Sequence, residues 1–397
     1  MVVNELIDKA LETKADAIGM SGLLVKSTLV MRDNLLELND RGLAHIPVIL
    51  GGAALTRSFV ERDLREVYEG RVFYGKDAFE GLDVLDRLVR ISQGELVDDE
   101  FGRTIRASSV RRMRTELTDG ATERTARSEQ VDYNNPIYQP PFLGTEVIKG
   151  IPTEEIALYL NETALFRHQW GYRPHEGESD AEFKTRIRQQ LAIELEHAQI
   201  SQILIPQVAY GYFPCYSDQN DLIVLDPNDL NRELTRFHFP RQTQPPHLCI
   251  ADFFRPKLSG EIDYVAFHVV TMGHRVSEIA QQYFHENRYR DYLHLHGLGV
   301  EMTEALAELW HARIRDEWGF GNEDGPTLSG LFKQAYRGGR YSWGYPACPN
   351  LEDNERVVAL LNASRIGVRV SENFQLEPEQ TTTAIIAHHP MAKYFIA

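Results

Sequence analysis

The sequence predicts two modules of different class: an α/β module built on a truncated parallel sheet, then an α+β module with an antiparallel sheet. Three observations carry this expectation. Over residues 1–95 short apolar runs alternate with amphipathic helical patterns, the signature of a doubly wound parallel sheet. Over 96–141 periodicity is weak and charge and proline dominate, as in a partly helical linker. Over 142–397 the strand patterns are grouped away from the long helical ones, as in an antiparallel sheet with helices packed against it.

The first module reads as a helix at 4–14, a strand at 16–21, a helix at 28–41, a strand at 47–50, a helix at 57–69, a strand at 71–74 and a helix at 77–91. Ligands of such sheets sit outside the carboxyl ends of the strands, where Ser21-Gly22 and Gly51-Gly52 fall. A three-stranded sheet leaves Ile18 and its neighbours on an apolar edge open to pairing, so the module is expected to be truncated or completed by another polypeptide.

The linker begins with Asp98-Asp99-Glu100, passes Arg111-Arg112-Met113-Arg114 and a Thr-, Asp- and Arg-rich stretch, and closes with Asn134-Asn135-Pro136 and Pro140-Pro141. In the second module helices are expected at 153–163, 180–203, 274–288 and 299–317. Strands are expected at 207–213, 221–225, 264–270 and 382–387.

Composition excludes several classes. With 58 acidic against 42 basic residues the formal charge of −16 repels a phosphate backbone, and no basic stripe with interleaved aromatics appears, so nucleic acid is not an expected partner. The same charge suits solubility, or a basic face on a redox partner. No apolar run approaches a membrane span and the start lacks a signal-peptide layout, so the expected compartment is the cytoplasm. Cys215, Cys249 and Cys348 show no C-x-x-C spacing, which points to neither a disulfide framework nor a thiolate zinc site. Phosphate-binding glycine loops and a G-x-S-x-G elbow are missing, so no nucleophile is proposed. His294 and His296, with His285 nearby, fall on a helical pattern that points the pair apart, against a metal site.

The most informative segment is Arg340-Tyr341-Ser342-Trp343-Gly344-Tyr345-Pro346-Ala347-Cys348-Pro349. Arg340 is a fixed positive fork suited to a carboxylate, and the following Gly344-Tyr345 turn offers backbone groups and an aromatic to a flat heterocycle. That combination outlines a site for an amino-acid nucleoside. Taken alone, such a segment is more often an ordinary surface loop.

Arg-x-x-x-Gly-Tyr-Pro-Ala-Cys-Pro resembles the S-adenosylmethionine-binding signature of the activation domain of cobalamin-dependent methionine synthases. Further stretches match in order. Leu248-Cys249-Ile250-Ala251-Asp252-Phe253-Phe254 is similar to the family's Leu-Ala-Asp-Phe segment, Glu301–Glu308 places Glu304 on its second acidic contact, and His389-Pro390-Met391-Ala392-Lys393-Tyr394-Phe395 places Tyr394 on its ligand-contacting tyrosine. The resemblance thus implies an S-adenosylmethionine site of Asp252, Glu304, Arg340, Ser342, Gly344, Tyr345 and Tyr394, with no catalytic residue of the chain's own.

Ala17–Leu24 and Pro47–Ala53 resemble the later half of the family's flavodoxin-like, five-stranded cobalamin domain. This implies a nucleotide-tail slot near Ser21, Gly22, Val25, Gly51 and Gly52, with Val25 standing where the family often has Thr. The Asp-x-His-x-x-Gly loop that supplies the lower cobalt ligand has no counterpart in residues 1–20, so cobalamin is expected to find an incomplete site. The resemblance divides the chain into a partial cobalamin-binding domain (1–95), a linker (96–141) and an activation domain (142–397).

The implied function is binding of S-adenosylmethionine for reductive remethylation of cob(II)alamin, in support of methyl transfer from methyltetrahydrofolate to homocysteine. A flavodoxin-type protein is the implied electron donor. The family's zinc and homocysteine module and its folate module would lie N-terminal to this chain. The alternative is a stand-alone reactivation or docking factor for a separately encoded corrinoid protein. The start inside a helix, at Val3-Asn4-Glu5-Leu6, favours a fragment of the larger enzyme.

Overall fold

A computed structural model describes residues 3–22, 25–52, 55–76, 78–103, 126–325, 327–372 and 374–397. It divides into two compact units, 1–122 and 123–397. The basic stretch at 111–114, Leu23, Leu24, Ala53, Asp77 and the side chain of Val25 lie outside the described residues.

The first unit has the expected α/β class. Strands β1 (Ile18–Ser21), β2 (Val48–Gly51) and β3 (Val72–Gly75) form a parallel sheet in the order β1-β2-β3, with Ser21, Gly51 and Gly75 level across its carboxyl end. Helices α1 (Val3–Thr13) and α2 (Val25–Asp40) precede and follow β1. The helix expected at 57–69 is a π-helical turn, Phe59–Leu64, running into a short α3 (Arg65–Val67), and α4 spans Ala78–Ser92. Ile7, Leu35, Leu38, Val48, Leu50, Val60 and Val72 fill the core between sheet and helices.

The second unit is α+β with a seven-stranded antiparallel sheet. Its order is β7 (Asp229–His238), β6 (Asp221–Asp226), β5 (Gln207–Asp218), β8 (Asp263–Thr271), β12 (Thr381–Ala387) and β9 (Gly339–Tyr341), while β4 (Gly144–Lys149) pairs with the first half of β5. A separate hairpin joins β10 (Arg369–Val370) to β11 (Leu376–Glu377). The helices are α5 (Thr153–Ala157), α6 (Asp180–Ile200), α7 (Arg275–His285), α8 (Tyr289–Glu317), α9 (Leu328–Phe332) and α10 (Asp353–Leu360).

Alternation along the strands sends side chains to two cores. Tyr210, Tyr212, Ala266, Val270 and Ile386 pack under α8 with Met302, Leu306 and Trp310, whereas Ala209, Phe213, Phe267, Val269 and Ile385 pack on the opposite face with Phe253, Tyr341 and Val357. Helix α8 begins ten residues before the expected 299, because Gly297 breaks the apolar pattern without breaking the helix. A Cβ there would meet Gln169 Cβ at 2.7 Å, so glycine is kept for close packing.

Of the segment read as a linker, residues 97–103 lie on the first sheet, with Gly102 accepting from the Val72 amide and Phe101 against Phe73. Residues 126–141 pack on the second unit, where Val131 is buried and Arg127 donates to the carbonyls of Asp252 and Phe254.

Candidate functional site

The site forms where β9 and β12 meet α8. Arg340 pairs in register with Ile386, and Ile386 lies on the α8-facing side, so Arg340 points toward the helix. On α8, Glu304, Glu308, His311 and Arg315 recur at helical spacing and share one face. Arg340 Nη2 donates to Glu308 Oε1 at 2.5 Å, with the two side chains only 12% and 19% exposed. Its other terminal nitrogen, Nη1, is buried without a hydrogen-bond partner.

Burial works against the charge of Arg340, but Glu308 and Glu304 hold its pKa above the ordinary value. Glu304 reaches solvent yet stands in a recess crowded by protein, and that desolvation raises its pKa, with Arg340 opposing and Glu308 adding to the rise. Tyr345 and Tyr394, each 48% exposed, line the same neighbourhood. The Tyr345 hydroxyl is raised by desolvation and feels Glu304, Arg340 and Tyr394.

The Gly344-Tyr345 turn is built locally. Gly344 adopts φ +93°, a conformation costly for any other residue, and its amide donates to the Cys348 carbonyl at 2.9 Å. Cys348 returns an amide bond to the Tyr345 carbonyl at 2.9 Å, and its Sγ–H donates to the Ser342 carbonyl at 2.9 Å. The cysteine is thus a buried brace of the turn, and burial pushes its thiol pKa up.

Tyr394 is placed by a clasp between the C-terminal segment and the 333–338 loop. Its amide donates to Gln334 Oε1 at 2.9 Å, while Lys393 Nζ donates to the carbonyls of Gln334 and Tyr336 and lies over the Tyr336 ring. Tyr341 Oη donates to the Lys393 carbonyl at 3.0 Å. Behind Arg340 lie His268 and His311, both fully buried with no hydrogen-bond partner on either ring nitrogen. Burial, reinforced by Arg340 and, for His311, Arg315, keeps both imidazoles neutral, far below their ordinary pKa.

The structure therefore brings Glu304, Arg340, Ser342, Gly344, Tyr345 and Tyr394 into one region. Asp252 is differently placed. It is fully buried, with Arg241 donating from both terminal nitrogens at 2.5 and 2.9 Å and the Ser128 and Cys249 amides at 3.3 and 3.2 Å. Its neighbour Phe253 stacks on Tyr341 at 6.1 Å, which ties that segment to β9. Sequence reasoning did not assign Glu308, Tyr336, His311 or Lys393; the signal for Glu308 was its spacing of four from Glu304.

In the first unit, Ser21 is exposed at the end of β1, and the backbones of Gly22 and Gly52 touch. Gly52 has φ +104°, and a Cβ there would lie 2.2 Å from the Gly22 carbonyl oxygen. The sole histidine of that unit, His45, precedes β2 at the opposite end of the sheet.

Residues 176–397 match the family model described as vitamin B12 dependent methionine synthase, activation domain. The methionine synthase of Mycobacterium tuberculosis is 43% identical over 419 residues, covering 98% of this chain and 35% of that protein. That of Mycobacterium leprae is 42% identical over 425 residues, covering 99% and 35%. The chain thus spans about a third of the length of these relatives. The crystal structure of the MetH reactivation domain bound to AdoHcy shares the fold, with a TM-score of 0.60 at 23% identity over 66% of this chain and 83% of that one. On the family match and the architecture together, the chain belongs to the activation-domain family of vitamin B12-dependent methionine synthases.

Proposed function

We propose that the second unit binds S-adenosylmethionine at the Arg340 recess and presents it for reductive remethylation of cob(II)alamin within a methionine synthase. The carrying observation is Arg340: a buried guanidinium fixed by Glu308 through one nitrogen, with Nη1 left for a carboxylate. Glu304 is the acceptor for the ligand's ammonium, the Ser342–Tyr345 backbone takes the adenosine, and Tyr394 covers the tail. The AdoHcy bound by the structural neighbour supports a ligand of this class. Asp252 joins the contacts only if Arg241 gives way, or acts by holding the segment in front of Tyr341.

Cobalamin supplies the methyl-accepting centre when bound. The first unit's Ser21, Gly22, Gly51 and Gly52 fit an edge of its tail slot, which a cobalt ligand from another module would complete. Further modules are therefore partners, consistent with the 35% share of the relatives that the chain covers. A flavodoxin-type donor supplies the electron, and the setting is the cytoplasm; among the described residues no helix is long and apolar enough to cross a membrane.

The test is a calorimetric titration of the chain with S-adenosylmethionine beside Arg340→Ala. Saturable binding lost in the variant supports the reading. A folded wild-type chain that does not bind overturns it.

A further inference from the structure

We propose that Glu308 makes this site selective for the cationic sulfonium form of its ligand over the uncharged thioether that remains once the methyl group has gone. The inference deepens the reading above and rests on it. Arg340 could be oriented equally well by a neutral amide, since only one hydrogen bond, to Oε1, holds it. A carboxylate at that position does something an amide does not: it cancels the charge of Arg340 before any ligand arrives.

The charges then count as follows. Counted as formal charges, Glu304 and Glu308 against Arg340 leave the recess with one net negative charge. The methyl donor carries a carboxylate, an ammonium and a sulfonium, for a net charge of +1, so the complex is neutral. The thioether product carries no net charge, and its complex leaves one negative charge uncompensated beside the largely buried Arg340–Glu308 pair. Such a charge is only partly screened and weakens binding.

Neighbouring cations do not spoil this count. Arg315 is bound bidentately by Asp324 at 2.7 and 2.6 Å. Lys393 stays outside the count because it is turned onto main-chain carbonyls beneath Tyr336, where the charges that act on it are those of Arg315, Asp324 and Glu323. His268 and His311 are buried neutral imidazoles. Glu308 is thus a specificity-determining residue, which lets the spent ligand leave while the fresh one is retained.

The test is calorimetric titration of the full chain with three ligands: S-adenosylmethionine, its thioether product, and the analogue in which a primary ammonium replaces the methyl sulfonium. The wild-type chain is expected to bind both cationic ligands roughly tenfold more tightly than the thioether, the size of one partly screened charge interaction. Glu308→Gln keeps an acceptor for Arg340 and is expected to lose most of that difference. Parallel weakening of all three ligands in the variant means that Glu308 only positions Arg340, and overturns the proposal. The wild-type series needs no variant: equal affinity for all three, or a preference that does not shrink with added salt, also overturns it. Absence of binding of every ligand to the folded wild-type chain instead overturns the reading of the site, and this proposal with it.

Discussion

Asp252 and Arg241 form a fully buried, two-pronged ion pair, in which the guanidinium takes both carboxylate oxygens at 2.5 and 2.9 Å while two backbone amides also donate to the carboxylate and Arg127 stands 3.9 Å away. Buried pairs of this kind add little over a well-packed apolar substitute, but removing one partner strands the other charge. Asp252→Asn is therefore expected to destabilise the second unit by about 3–5 kcal/mol, read by urea denaturation without ligand. A loss under 1 kcal/mol would show that Arg241 finds another partner.

His268 and His311 make stability depend on pH. Both stay neutral in the folded chain because burial pushes their pKa far below the ordinary value, whereas unfolding lets them take up protons near 6.5. Below that pH the unfolded state binds more protons, so folding stability falls as pH drops from about 6.5 toward 5, by up to about 1.4 kcal/mol per pH unit for each histidine. Replacing both by Leu should flatten that window in denaturation curves recorded from pH 5 to 8. An unchanged slope would assign the dependence to other groups.

Gly52 tests the first unit independently of any ligand. Its left-handed backbone and the 2.2 Å approach to the Gly22 carbonyl leave no room for a methyl group. Gly52→Ala is expected to cost about 2 kcal/mol or more, seen as a lower melting temperature for the first unit's transition, with S-adenosylmethionine binding by the second unit unaffected.

All three cysteines are buried, and burial raises each thiol, Cys249 to about 12. Since the thiolate is the reactive form, the native chain is expected to resist a thiol reagent at pH 8 and to react three times on unfolding. Rapid labelling of Cys348 in the native chain would show that the Ser342–Cys348 turn opens.

Much of this protein was readable along the chain, and where it was not, the reason is physical. Periodicity marked β1 to β3, β5, β6, β8, β12 and the long helices, because one buried face forces a repeat on the residues that make it. It missed β7, whose residues are almost all exposed, and β9, which has three residues and is held only by its partner β12. It also merged the turns at 59–67 into one regular helix, since the buried Val60 and Leu64 keep the spacing of four that an α-helix shows.

The candidate site divides in the same way. The sequence alone marked the Arg340–Pro349 turn through residue type and local spacing, and its resemblance to the family singled out Glu304 and Tyr394. Only the tertiary structure decided that Glu308, thirty-two positions before Arg340, holds its guanidinium, that Arg241 occupies Asp252, and that two imidazoles stand neutral behind the site. Each of those depends on which face of a helix meets which face of a sheet. That is settled by burying apolar surface across the whole unit, a sum to which no short stretch of sequence has access.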